Sequence, residues 1–224
     1  IKLAKSLNVI GLVNIQFAVQ NEKLYVIEVN PRASRTVPYV SKATGLPIAR
    51  LATRLCLGEK LSSFGKMEKY GQGLFFIKTP VFPWQRFDIK DISLGPEMRS
   101  TGEVMGVGRS FGEAYAKALL AAGMKLPTQG GVFLSVRDQD KHMLSEIAGP
   151  LYSMGFNLLA TSGTHNALSQ LGLPSERVNK VKEGRPDIVD HVRNGRVQLM
   201  INTPIGKKSI HDEAAMRLAG LRFG

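Results

Sequence analysis

Apolar and polar residues alternate along Leu12–Val19 and again along Leu24–Val29, with the turn formers Asn21-Glu22-Lys23 between them. Two such runs with a tight connection predict a β-hairpin. Ile15, Phe17, Val19, Tyr25, Ile27 and Val29 share one face in this reading. With a three-residue loop, Gln16 lies across from Glu28 and Asn14 across from Asn30. Ahead of the hairpin, Ile1–Lys5 has the spacing of an amphipathic helix. Pro31 ends the second strand, and Thr36–Thr44 forms a short helical or irregular segment closed by Gly45. Pro47 then opens a helix to about Leu57, with Gly58 as its stop. Its inward stripe is Ile48, Leu51, Ala52 and Leu55. Arg50 and Arg54 fall on the solvated side, and Cys56 falls in the apolar pattern as a core residue.

Residues 59–73 read as a polar connector. Gly73–Pro83 is strand-like, with Pro80 placing it at an edge or bulge, and Trp84 and Phe87 follow as packing residues. The glycines of Gly102–Gly108 lack the Lys-Ser/Thr of a phosphate loop and are expected to form a structural turn. Ser110 and Glu113 make a capping box before a helix that Gly123 closes. Met124–Gly130 separates two regimes and reads as a linker between a domain at 1–123 and another at 131–224. In the second, strands at Val132–Val136, Asn157–Ala160, Arg177–Val181 and Val197–Ile201 alternate with helices. The first of these carries Leu144, Ile147, Ala148 and Leu151 and is bent or shortened by Pro150; the others are the one entered at Thr161-Ser162-Gly163-Thr164, Asp187–Arg193 and Ser209–Leu218. Alternation of this kind implies a parallel sheet covered on both faces. The fold class is α/β, an antiparallel α+β portion followed by a parallel α/β domain.

Two constellations carry candidate chemistry. On the polar side of the hairpin, Gln16, Glu28 and Asn30 gather oxygen donors of the kind that hard divalent cations take, usually with phosphate oxygens completing the shell. Arg32 and Arg35 follow three residues apart, so a helical turn would aim both guanidinium forks the same way, toward an anionic substrate. Taken alone, the same residues also fit a solvated polar face ending in a charged turn. The second constellation is at the carboxyl ends of the parallel strands, where such sheets bind ligands. Ser135, Thr161, Thr164, Lys180, Asn202 and Thr203 stand there, and Lys141 lies near the start of the following helix. Hydroxyls, helix-start N–H groups and ammonium groups suit a phosphate. Simple helix caps are the alternative for the Thr and Ser residues.

Composition narrows the partners. The 224 residues carry a net charge of +12, but Lys and Arg are dispersed without a basic block or aromatic ladder, which favours small anions over nucleic acid. No run is long enough to cross a bilayer and no signal-peptide pattern opens the chain, so no membrane partner is expected. One cysteine excludes an intrachain disulfide and suits a reducing cytoplasm.

Three stretches resemble one family: IEVNPRASRTVPYVSKATG at residues 27–45, LGPEMRSTGEVMGVG at 94–108 and VNKVKEGRPDI at 178–188. They are similar to the large subunit of carbamoyl phosphate synthetases, from the end of its second ATP-grasp domain into its methylglyoxal-synthase-like allosteric domain. The resemblance implies phosphorylation of carbamate by ATP to give carbamoyl phosphate for pyrimidine and arginine synthesis. Its implied cofactors are ATP, Mg²⁺ or Mn²⁺, and K⁺. Gln16, Glu28 and Asn30 would be metal ligands, with Glu28 bridging two ions, and Arg32 and Arg35 would hold carbamate or the transferring phosphoryl group. Ser135, Lys141, Thr161, Thr164, Lys180, Asn202 and Thr203 would receive a nucleotide effector such as UMP or IMP. Pro204 replaces a hydroxyl found in some relatives. A glutamine amidotransferase small subunit and self-association into an oligomer are implied too.

The family pattern also implies a nucleotide-binding half before Ile1 and a strand and helix after Gly224, so ATP turnover is not expected of these residues alone. Thr79 matches an acidic position that holds ornithine in some relatives, which implies weak or absent ornithine activation. Two alternatives remain from the sequence. One is a purely regulatory nucleotide-monophosphate-binding module. The other is a methylglyoxal-synthase-like lyase, for which Asp187 and Asp190 are the nearest carboxylates.

Overall fold

A computed structural model describes residues 1–65, 73–84, 97–181, 183–203 and 206–223, with the side chains of 206–212 excepted. Phe87 and Pro204 lie outside the described residues. The chain divides into two compact units, 1–81 with 102–124 and 82–101 with 125–224.

In the first unit, α1 (Lys2–Ser6) precedes the hairpin of β1 (Asn14–Gln20) and β2 (Lys23–Asn30). Its turn has two residues, not three: Gln20 pairs with Lys23, while Asn21 and Glu22 take φ of 50° and 60°, the double positive φ of a type I′ turn. A bulge then restores the expected register. Phe17 pairs with Val26 and Gln16 with Glu28, leaving Ile27 as the extra residue, and Asn14 pairs with Asn30. The turn shift moves Tyr25 opposite Ala18, so it leaves the expected apolar face. Leu24 and Val26 take its place opposite Val19 and Phe17.

Helices α2 (Thr36–Thr44) and α3 (Ile48–Cys56) follow, closed by glycines at φ 71° (Gly45) and 96° (Gly58). Arg54 is not simply solvated: it forks Glu59 at 2.7 and 2.5 Å and lies over the Phe64 ring at 4.6 Å. Cys56 is exposed rather than in a core, because α3 ends at it and no further turn covers it.

Strand β3 (Phe75–Val81) pairs antiparallel with β4 (Gly102–Gly108), so the Gly-rich stretch is a strand and not a turn. Pro80 sits in this sheet, which has two strands among the described residues. Gly106 and Gly108 make room for α4 (Phe111–Ala121), which lies against β4. A Cβ at Gly106 would overlap the backbone of Ala114 and Ala118, both fully buried. At the start of α4, Ser110 Oγ accepts the Glu113 N–H at 3.2 Å. Glu113 reaches back to the Arg109 N–H at 2.7 Å, one residue before the N-cap. The Lys117 ammonium, then that N–H, hold the Glu113 carboxyl below the usual range.

The second unit is a parallel sheet in the order β7-β6-β5-β8. Its elements are β5 (Gly131–Ser135), α5 (Leu144–Ser153), β6 (Asn157–Ala160), α6 (Ser162–Gln170), β7 (Glu176–Arg177), α7 (Ile188–Arg193), β8 (Leu199–Asn202) and α8 (Gly206–Phe223). Successive β5 side chains divide between two cores. Val132 and Leu134 pack with Leu144, Ala148 and Leu168, while Phe133 packs with Ile188, Val192 and Met216. Both sheet faces are therefore covered. α5 continues three residues beyond Pro150. β7 is shorter than the alternation predicts, and Asn179, beyond its end, bridges to Asp187 instead. No helix among the described residues is long and apolar enough to cross a membrane.

Candidate functional site

At the carboxyl ends of β5, β6 and β8 the second unit holds a cavity of about 450 Å³. Parallel pairing puts Ser135 level with Asn202, and the Thr203 N–H donates to the Ser135 carbonyl at 2.9 Å. All seven residues expected at this site, Ser135, Lys141, Thr161, Thr164, Lys180, Asn202 and Thr203, line the one cavity. They do not play equal parts. Thr164 is buried, and its Oγ1 accepts the Val136 N–H at 2.9 Å, tying α6 to the chain after β5. Thr203 Oγ1 likewise accepts the Arg137 N–H at 2.9 Å. These two hydroxyls build the wall.

Thr161 sits at the N-cap of α6, yet its hydroxyl caps no backbone N–H; it meets Thr164 Oγ1 at 3.4 Å. The plain helix-cap alternative therefore fails for Thr161. Asn202 Nδ2 is buried with no hydrogen-bond partner among the described residues, so a donor faces whatever enters. Lys141 pairs with Asp138 at 2.7 Å. Phe133, Val181, Ile188 and Met216 give the cavity an apolar side. Cationic and N–H-rich at one part and apolar at another, it can take a phosphate carrying a flat organic group.

Sequence reasoning missed Arg137, Asp138 and Glu183 as lining residues. Arg137 to Met143 reads as the approach to a helix, whereas a 3₁₀ turn over Asp138–Met143 folds it onto the strand ends. Arg137 forks Asp140 at 2.6 and 3.2 Å and holds that carboxyl below its usual range. Glu183 accepts the Lys180 N–H at 3.2 Å, closing the turn that presents Lys180. Gly163 lines the cavity too, within the expected strand-end run Thr161-Ser162-Gly163-Thr164.

In the first unit, the hairpin register sets Gln16 beside Glu28, and Asn30 Nδ2 donates to Glu28 Oε1 at 2.8 Å. The three therefore share one face. The expected shared aim of Arg32 and Arg35 is not found. Residues 32–34 are not helical because α2 starts only at Thr36, and Arg35 is its N-cap. Arg32 stays in an exposed turn and donates to the Ala33 carbonyl at 3.1 Å. Arg35 approaches Glu103 of β4 at 3.8 Å, and Lys78 of β3 lies 3.2 Å from the same carboxylate. Among the described residues no group of three or more His, Cys, Asp or Glu could hold a metal by itself. One carboxylate with two amide oxygens fits a hard cation that shares its shell with phosphate.

Comparison with known proteins gives these two sites a common context. A model of the carbamoyl-phosphate synthase L chain ATP binding domain matches residues 1–64, and one of the MGS-like domain matches residues 143–224. The carbamoyl phosphate synthase large chain of Acidobacterium capsulatum is 55% identical over 98% of this chain and 21% of its own length. That of Archaeoglobus fulgidus is 50% identical over 100% of this chain and 21% of its own. A C-terminal section of the large chain from Aquifex aeolicus is 47% identical over 99% of this chain and 44% of its own.

The chain belongs to the carbamoyl phosphate synthase large-chain family. It spans less than half the length of the relatives it matches. Within the family frame the hairpin falls in the ATP-binding match and most of the cavity in the MGS-like match. Ser135 and Lys141 come just ahead of the latter. The two carboxylates a lyase would need are committed elsewhere. Asp187 and Asp190 form the reciprocal capping box of α7, and Arg185 pairs with Asp190 at 2.8 Å.

Proposed function

We propose that this chain takes part in making carbamoyl phosphate from carbamate and ATP, and that a nucleotide monophosphate of the UMP or IMP type regulates it through the cavity of the second unit. The observation that carries the regulatory half is the cavity itself. It joins Lys141, Lys180, the start of α6 and the unpartnered buried Asn202 Nδ2 beside an apolar side.

In the synthetic half, a carbamate oxygen attacks the γ-phosphorus of ATP, a new O–P bond forms, the bond to the β,γ-bridging oxygen breaks, and ADP leaves. Positioning and charge neutralisation supply the rate, and no side chain needs to become a nucleophile. Gln16, Glu28 and Asn30 would hold Mg²⁺ or Mn²⁺, whose charge offsets that of the phosphates. Arg32 and Arg35 hold the anions: Arg35 lies beside Glu103, and Arg32 stands in an exposed turn with its guanidinium on the Ala33 carbonyl. A glutamine amidotransferase subunit, K⁺, an oligomeric assembly, a cytoplasmic location and service to pyrimidine and arginine synthesis belong to the same reading.

The cavity also favours a narrower function, a regulatory module that binds nucleotide without turnover. Titration calorimetry of the chain with UMP and IMP, beside an ATPase assay, tests both. We expect at least one nucleotide to bind, and Lys180→Ala to weaken it by about tenfold or more, the scale of a lost charge-assisted hydrogen bond. No heat with either nucleotide overturns the regulatory half. Carbamate-dependent ATP turnover by the chain overturns the narrower reading.

A further inference from the structure

We propose that Asp138 is a resident anion of this cavity: its carboxylate occupies the Lys141 ammonium in place of a ligand phosphate and is displaced when a phosphomonoester binds. The proposal rests on the reading of the cavity as a nucleotide monophosphate site.

Lys141 Nζ lies 2.7 Å from Asp138 Oδ1. The same ammonium stands 3.3 Å from where a Cβ on Gly163 would be, so it lies against the first turn of α6. That turn presents N–H groups without helical partners and the positive end of the helix dipole. A cation held there is disfavoured unless an anion accompanies it. Asp138 supplies a single negative charge; a phosphomonoester brings about 1.5 to 2 and three acceptor oxygens. The ligand can therefore satisfy Lys141 and the helix start together, which the carboxylate does less fully. The Lys141 ammonium also holds the Asp138 carboxyl below its usual range, so it is ionised at neutral pH.

Exposure makes the exchange feasible. The Asp138 side chain is 90% exposed and that of Lys141 27%, so the carboxylate reaches in from solvent and can leave without disturbing a core. Its neighbour Asp140 cannot take this part, because Arg137 forks it. Asp138 thus competes with the ligand for Lys141 and lowers the affinity the ligand shows.

The test uses the chain itself, with UMP as the probe, and compares wild type with Asp138→Asn and Asp138→Glu. Removing the competing charge should tighten UMP binding by about two- to fivefold, the upper range of an exposed ion pair, while Asp138→Glu stays closer to wild type than Asp138→Asn does. Without ligand, Asp138→Asn should melt below wild type, since Lys141 then lacks its counter-ion. Under saturating UMP the two melting temperatures should converge, because the displaced carboxylate contributes nothing to the bound state. Unchanged or weaker binding by Asp138→Asn, or a melting gap that persists under saturating UMP, overturns the proposal alone. Absence of UMP binding by wild type overturns it together with the reading of the site.

Discussion

A methyl group on Gly106 would run into the backbone of Ala114 and Ala118, because α4 lies directly on β4 there. Neither neighbour is the end of a flexible side chain, so relief requires moving the helix. Gly106→Ala should cost about 3 kcal/mol or more, as overpacking against backbone does. Gly102→Ala, four residues earlier in the same strand and with nothing within 4 Å of the new Cβ, should cost less than about 1 kcal/mol. Urea denaturation of the two variants checks this; similar costs would show that the close approach does not matter. Gly106 and Gly108 also explain why β4 reads as a turn in the sequence. Periodicity reads side chains, and here the informative feature is their absence for the sake of a helix whose packing against β4 no local pattern encodes. Arg35 is a similar case. Its spacing from Arg32 is visible in the sequence, but its approach to Glu103 depends on a pairing across about seventy residues. Thr161, by contrast, was legible because it follows the β6 strand pattern directly, whereas Lys180 reaches the cavity from a turn beyond the end of β7.

The hairpin places Glu28 by two compensating irregularities. A two-residue turn shortens the connection by one residue and the bulge at Ile27 returns it, so Gln16 meets Glu28 as a three-residue loop would also have arranged. Pairing near the site was therefore legible, while the route to it was not, and Tyr25, between turn and bulge, is where the difference shows. Two consecutive non-glycine residues at positive φ carry strain that a type I′ turn relieves with glycine at its second position. Asn21 tolerates φ of 50° well, whereas Glu22 at 60° does not. Glu22→Gly should stabilise the first unit by about 0.5 to 1 kcal/mol, the strain relieved less the backbone freedom gained in the unfolded chain. A measured loss of stability would mean that the Glu22 side chain contributes a contact outweighing its backbone strain.

The two candidate sites fall in different units with unequal support. Both buried clusters, built on Val132, Leu134, Phe133 and Leu159, belong to the second unit, and the cavity stands on the ends of those same strands. In the first unit the buried hydrophobic residues among those described are Ala114 and Ala118, while Phe17, Val19, Leu24 and Val26 of the hairpin are 46%, 72%, 64% and 48% exposed. The alternation of strands and helices made the parallel sheet legible, but not that β5 would sit between β6 and β8, which sets Ser135 beside Asn202. That order depends on long-range packing, which no local pattern encodes. Because Glu28 and the cavity belong to different units, the two functions should separate. In a carbamoyl phosphate synthase that carries this sequence, Glu28→Ala should reduce carbamate-dependent phosphoryl transfer by at least about a hundredfold, as loss of a phosphate-clamping metal ligand does. The same variant should bind UMP within about twofold of wild type, since the cavity keeps both ammonium groups, the start of α6 and its apolar side. Transfer assays and calorimetry on one preparation decide the matter: retained transfer removes Glu28 from the metal site, and lost UMP binding shows the units to be energetically coupled.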